Sequence, residues 1–115
     1  MLFVLSKTHR LKKKEIENVF KKGRTYRGNF LILKIKKNSL SLSRWSFIVP
    51  LSTPRTIVKR NKLKRQLREN LRKKLKIIKP GFDGIILSLP AAFIKKYWEV
   101  DKEIDKLLRL ANIYE

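Results

Sequence analysis

The chain has 115 residues, and its 30 lysines and arginines against 9 acidic residues give a formal net charge of +21. There is no cysteine, which excludes disulfides, thiolate zinc sites and a cysteine nucleophile. Length and a hydrophobic content of 43% fit one globular domain over residues 1–115. Because so much like charge destabilises a compact chain by self-repulsion, we expect a polyanionic partner, nucleic acid before an anionic membrane.

The N-terminal part of the chain predicts a short helix over residues 11–22, since Leu11, Ile16 and Val19 recur at near-helical spacing and Gly23 follows as a C-cap. The preceding residues, MLFVLSKTHR, contain only a short apolar run and do not resemble a signal peptide. Nowhere does the chain approach the roughly 18 consecutive apolar residues of a transmembrane helix. We therefore expect a cytoplasmic protein.

Residues 25–37, TYRGNFLILKIKK, are rich in aromatic and β-branched types and predict strand structure interrupted at residues 28–29. Residues 44–50, RWSFIVP, predict the next strand. Pro50 and Pro54 then bracket an irregular loop.

A long basic helix is predicted over residues 56–78. Within residues 58–76, VKRNKLKRQLRENLRKKLK, ten of nineteen side chains are Lys or Arg and one, Glu69, is acidic. The apolar side, within an arc of about 120°, comprises Leu63, Leu67, Leu71, Leu75 and Ile78. Around the opposite side lie Asn61, Arg65, Arg68, Arg72 and Lys76.

The stripe of apolar side chains is suited to docking this helix on a sheet, whereas Arg60 and Lys64 point along that side near its N-terminal end and could overhang the sheet edge. A solvated helix face usually carries offsetting acids, so their near absence favours polyanion binding. A membrane-surface helix is disfavoured because the stripe lacks aromatic residues and the flanking strands need it for a core.

The C-terminal part predicts a buried strand over residues 82–89 and a last helix over about 91–112, with Pro90 in its first turn. We expect the core side of that helix to contain Ile94, Tyr97, Trp98, Ile104, Leu107, Leu108 and Ala111. The element order α-β-β-β-α-β-α predicts a single-domain α+β sandwich with one sheet of about four strands.

The basic segment resembles a known motif. Lys59-Arg60-Asn61-Lys62-Leu63-Lys64-Arg65, continued by Leu67-Arg68-Glu69 and Arg72, is similar to the RNR motif of the bacterial ribonuclease P protein component. Arg10-Leu11-Lys12-Lys13 with Val19-Phe20-Lys21-Lys22-Gly23 resembles the first helix of that family. Phe30 with the strand after it, Asp83-Gly84-Ile85-Ile86 and Pro90 also match, so the resemblance covers about residues 10–114.

The resemblance implies a function. Proteins of this family bind a catalytic RNA, and together they remove the 5′ leader of precursor tRNA in a hydrolysis that the RNA and its Mg²⁺ ions catalyse. The protein would thus be an accessory subunit of an endoribonuclease, with no catalytic residue, metal site or obligate protein partner of its own. The family fold implies a left-handed crossover through the helix that carries the motif.

The resemblance also implies two sets of binding residues. The set facing the catalytic RNA comprises Lys59, Arg60, Asn61, Lys62, Lys64, Arg65, Arg68 and Arg72. The set in the leader-binding cleft comprises Phe20, Phe30, Arg10, Lys12 and Lys13. The chain departs from the family where Ile16 and Leu33 replace aromatic residues and where residues 50–54 replace a Ser-Lys-Lys segment.

The residues alone leave other classes open. A small ribosomal protein or a DNA-compacting protein would share the basic composition. No carboxylate pair has a spacing that indicates two-metal nuclease chemistry within the protein itself.

Overall fold

A computed structural model describes residues 9–50 and 57–114. Within these residues, three helices and four strands follow one another in the predicted order, which is therefore confirmed: α1 Lys13–Lys22, β1 Arg24–Arg27, β2 Leu31–Lys37, β3 Arg44–Ile48, α2 Ile57–Lys74, β4 Phe82–Ser88 and α3 Tyr97–Leu110. Single 3₁₀ turns over Leu75–Ile77 and Pro90–Ile94 precede β4 and α3. Most of the predicted loop over residues 50–54 lies outside the described residues.

The four strands form one sheet in the order β1-β2-β4-β3. Strands β1 and β2 pair as an antiparallel hairpin, and the interruption predicted at residues 28–29 lies in its turn. Strand β4 is antiparallel to β2 and parallel to β3. Because parallel neighbours need a crossover connection, α2 joins β3 to β4 across one face of the sheet.

The sheet separates two apolar clusters of unequal size. On one face, alternate residues of β2, such as Leu31 and Leu33, pack with α2 and α3 in the main core. On the other face, α1 contributes Val19 to a small cluster with Ile85 of β4. Helix α1 thus covers its face with few apolar contacts, and much of that face of β1 and β2 remains polar.

Trp45 of β3 is fully buried in the main core and fixes the residue opposite it on β4. That residue is Gly84, where a Cβ atom would come within 2.2 Å of the Trp45 ring. The Asp83-Gly84 pair of the sequence therefore belongs to the strand, with glycine required by the close approach of an indole.

The last helix differs from its prediction. The chain is extended at Lys95 and Lys96, and α3 begins only at Tyr97, with Pro90 in the separate 3₁₀ turn. The break resets the helical phase, so that Ile94 and Trp98 are 81% and 61% exposed and their predicted core positions are wrong. The side chains that α3 buries are Val100, Glu103, Ile104, Leu107 and Leu108.

The buried acid of α3 holds the hairpin turn. Oε2 of Glu103 accepts hydrogen bonds from the backbone N–H groups of Phe30 (2.7 Å) and Leu31 (3.1 Å). A Cβ atom on Gly28 would lie 2.4 Å from the same oxygen, so the turn packs directly against the carboxylate. Glu103 is thus a long-range anchor between α3 and the β1–β2 turn, which no local pattern in the sequence indicates.

Candidate nucleic-acid interface

Helix α2 docks through its leucines as predicted. Leu63, Leu67 and Leu71 are buried in the main core, and Leu75 packs against it from the following 3₁₀ turn. Ile78 is buried as well. This stripe holds the helix in one orientation and directs its other sides outward.

The outward sides of α2 carry the predicted motif residues, which we call the α2 face. The side chains of Lys59, Asn61, Lys62 and Arg65 are exposed, and those of Arg60, Lys64, Arg68 and Arg72 are partly exposed. The structure thus places all eight on one accessible stretch of helix.

Several of these cations are not neutralised inside the protein. Across the part of the chain that the structure describes, no ion pair holds Lys62, Lys64, Arg65 or Arg68. The Nε atom of Arg68 is buried and has no hydrogen-bond partner among the described residues. Uncompensated positive charge on a rigid helix is a feature of surfaces that meet phosphate.

Arg60 has a second role. Its Nη2 atom donates a hydrogen bond to the carbonyl oxygen of Val49 at 3.2 Å, just past the end of β3. The side chain therefore overhangs the sheet edge, in the position that its place on the helix predicted. One of its nitrogens stabilises the fold, while its Nε atom is buried without a hydrogen-bond partner among the described residues.

The C-terminal end of α2 is tied to α3. Lys74 forms an ion pair with Asp101. The Nζ atom of Lys73 lies 5.0 Å from the centre of the Tyr97 ring. The uncompensated part of the α2 face is therefore the N-terminal part, over residues 60–68.

The start of α1 is fixed to the sheet by an arginine. The Arg44 guanidinium donates to both carboxylate oxygens of Asp83, at 2.9 and 2.8 Å, and pairs with Glu15 of α1. The hydrogen bond with Asp83 raises the pKa of Arg44 although burial acts against it. Asp83, which sequence matching assigned to the return strand, is thus a buried partner that helps to place α1.

Three of the predicted leader-cleft residues lie at this start of α1. Arg10, Lys12 and Lys13 are exposed, and the first two line a cleft of about 660 Å³ together with Leu40 and Leu42. Arg10 also forms a β-bridge to Trp45, and this pairing covers part of the outer edge of β3.

Phe20 lies near the other end of α1, about 12 Å from Lys12 by helical rise, and 42% of its surface is exposed. The Nζ atom of Lys34 is 5.5 Å from the centre of its ring and donates to the Thr25 hydroxyl at 2.9 Å. Lys34 was missed by sequence matching, although the alternation of β2 places it on the α1 face. An exposed ring beside an ammonium group is suited to a base and its phosphate.

The structure places Phe30 outside the predicted leader cleft. It is only 5% exposed and belongs to the main core, under Lys95, on the face of the sheet opposite to α1. Leu33 faces the same core. Phe20 and Phe30 therefore cannot line one cleft, because the sheet lies between them.

Within residues 9–50 and 57–114, no helix is long and apolar enough to cross a membrane. The same residues contain no group of three or more His, Cys, Asp or Glu side chains placed to hold a metal ion.

These features define a class: a small α+β protein with a four-stranded mixed sheet and a strongly basic crossover helix. The family model described as Ribonuclease P matches residues 5–112. The chain therefore belongs to the ribonuclease P protein family. It is 31% identical to the ribonuclease P protein component of Clostridium botulinum (strain 657 / Type Ba4) over 90% of this chain and 93% of that protein.

Another relative and a solved structure agree. The ribonuclease P protein component of Microcystis aeruginosa is 33% identical, with 95% of each chain covered. An RNase P protein mutant of Staphylococcus aureus, described as defective in mRNA degradation activity, superposes with a TM-score of 0.87 over 94% of this chain and 92% of that one. At 24% identity this structural likeness supports the fold.

Proposed function

We propose that this protein binds the catalytic RNA of ribonuclease P through its α2 face and the 5′ leader of precursor tRNA beside α1. The observation that carries the proposal is that four cations of the motif have no ion-pair partner in the described part of the chain, on a helix whose opposite side packs in the core. These four are Lys62, Lys64, Arg65 and Arg68. The relatives are named as protein components of ribonuclease P, which supports the subunit role.

The α2 face has the chemistry for structured RNA. A guanidinium such as that of Arg65 or Arg68 presents a planar fork that meets two phosphate oxygens at once. Asn61, exposed among these cations, offers both a donor and an acceptor to a base edge or a 2′-hydroxyl. Because the leucines already hold α2 in place, RNA binding would cost the backbone little conformational entropy.

The leader would lie along α1. In this arrangement Phe20 stacks on an unpaired base, Lys34 meets the adjoining phosphate, and Arg10, Lys12 and Lys13 meet phosphates nearer the start of the helix. The Mg²⁺ ions and the hydrolysis belong to the RNA, and the protein contributes substrate affinity and position.

A leader-length experiment tests this placement. With holoenzyme reconstituted on a bacterial ribonuclease P RNA, Phe20→Ala is expected to weaken binding of precursor tRNA with a leader of several nucleotides by about 5- to 100-fold, since stacking on an aromatic ring is worth about 1–3 kcal/mol per base. Binding of mature tRNA, which has no leader, should not change. Titration of labelled RNA with holoenzyme measures both affinities.

Phe20→Tyr is the matched control, because it keeps the ring, and it should bind the long leader nearly as well as the unaltered protein. An equal loss for precursor and mature tRNA, or no loss for either, would contradict a leader contact at Phe20.

A further inference from the structure

A cleft of about 720 Å³ lies between α3 and the β1–β2 turn. Helix α3 contributes Trp98, Lys102 and Lys106 to it, and the turn contributes Asn29 and Phe30. The α3 residues that contact α2, Tyr97 and Asp101, point away from this side of the helix. The cleft is therefore separate from the α2 face, and the sheet separates it from α1.

Trp98 is the dominant apolar feature of this cleft. The other tryptophan, Trp45, is 1% exposed in the core, whereas Trp98 leaves most of its ring in solvent. Phe30 also lines the cleft, although it is only 5% exposed. An exposed indole next to a groove is a feature of binding surfaces, because its ring is otherwise favourably buried.

The acids around the cleft are occupied within the fold. Glu103 accepts two backbone N–H groups, and Glu99 accepts the N–H of Lys96 at the start of α3. Burial acts to raise the pKa of Asp105, but hydrogen bonds from Tyr114 and Arg109 outweigh it and lower that pKa. These carboxylates are held in place by their partners.

Two lysines of α3 that line the cleft differ from these acids. Lys102 and Lys106 are exposed, and neither forms an ion pair or hydrogen bond with any residue in the described part of the chain. They follow Trp98 at i+4 and i+8, so each lies about 6 Å further along the same side of α3. An aromatic ring followed by two regularly spaced ammonium groups is complementary to a base and successive phosphates.

We propose that this cleft binds an unpaired stretch of RNA, with a base stacked on Trp98, phosphates on Lys102 and Lys106, and a base edge at Asn29. The inference rests on the proposed RNA-binding function but concerns a surface apart from α2 and α1. A second copy of the chain would also cover the indole, but a net charge of +21 opposes self-association, whereas the free lysines attract a polyanion.

The exposed tryptophan supplies the test. Titration of the full chain with an eight-nucleotide oligouridylate should quench intrinsic tryptophan fluorescence in a saturable way, since Trp98 is accessible and Trp45 is buried. In Trp98→Ala the quenching should disappear. Lys102→Gln combined with Lys106→Gln should weaken the quenching-detected affinity about tenfold and reduce the slope of log affinity against log salt by about 1.4, as expected for two lost phosphate contacts on a single strand.

The control removes the same charge elsewhere. Lys14→Gln with Lys22→Gln, on exposed positions of α1, should leave quenching by the oligonucleotide unchanged within about twofold. Equal effects of the two double variants, or no quenching of the unaltered protein, would overturn the proposal. So would sedimentation that shows a dimer lost in Trp98→Ala, which would assign the cleft to a second copy.

Failure of this inference is distinguishable from failure of the proposed function. Binding of the catalytic RNA through α2, measured on the same samples, should be retained in the Lys102/Lys106 double variant. A sample that binds the catalytic RNA but shows no quenching by the oligonucleotide contradicts the α3 site alone.

Discussion

Replacing Arg65 and Arg68 together by alanine is expected to weaken binding of the ribonuclease P RNA by about 2–6 kcal/mol, because each charged hydrogen-bonded contact is worth roughly 1–3 kcal/mol. This corresponds to a loss of about 30-fold or more. Neither side chain is held by an ion pair in the described structure, so their removal should cost the fold little. Titrations of the RNA at several salt concentrations measure the affinity and its salt slope, which should fall by about 1.4–1.8 for two lost phosphates.

The control variant for this pair keeps both positive charges but removes the planar guanidinium groups. Arg65→Lys with Arg68→Lys should lose less affinity than the alanine pair and should retain the salt slope, since an ammonium still displaces a counterion but makes no two-point contact. If the alanine pair left both affinity and slope unchanged, the catalytic RNA would not bind at this face.

Glu103→Ala is expected to lower the free energy of unfolding by about 2–5 kcal/mol. The change leaves the buried N–H groups of Phe30 and Leu31 without an acceptor, each at a cost of roughly 1–3 kcal/mol, and opens a space against Gly28. Urea unfolding followed by circular dichroism measures the loss.

Glu103→Gln separates hydrogen bonding from charge. The amide keeps a carbonyl oxygen of nearly the same shape, so the variant should lose about 1–2 kcal/mol, mainly the charged character of the two bonds. A loss for alanine no larger than that for glutamine would show that the turn does not depend on this acceptor.

The parts of the fold that the sequence predicted correctly are those where a local pattern decides the structure. Leucines at four-residue spacing, embedded in a run of cations, define the docked side of α2 because only one side of a helix can be buried. The break between β1 and β2 was predictable because strand-forming residues flank a Gly-Asn interruption. In both cases residues that are close in the sequence determine the local structure.

The predictions failed where a break in a helix or a contact between distant residues determines the structure. The spacing of apolar residues through 91–112 suits one helix, but the extended residues Lys95 and Lys96 restart it in a different phase and turn Trp98 outward. Matching by position placed Phe30 with Phe20, whereas the β1–β2 turn places Phe30 in the main core, against Glu103 of α3. Glu103 could not be recognised from the sequence because its partners lie more than 70 residues away in the chain.

The residues of the candidate site fall into the same two groups, those that a local pattern identifies and those that the tertiary fold decides. The α2 residues were predictable as a set because one helix carries them all. The proposed leader-binding residues were only partly predictable, since they depend on which side of the sheet each strand residue faces. Alternation along β2 selects Lys34, whereas matching by position selected Phe30, which lies in the main core.

The most direct test of the subunit role is cleavage of the 5′ leader from a precursor tRNA by a bacterial ribonuclease P RNA at low Mg²⁺, with and without this protein. We expect marked stimulation by the protein, and loss of that stimulation when Asn61, Arg65 and Arg68 are replaced by alanine. No stimulation by a folded sample that binds RNA, even with the cognate ribonuclease P RNA, would contradict the subunit role and would favour a structural RNA-binding role of the ribosomal type.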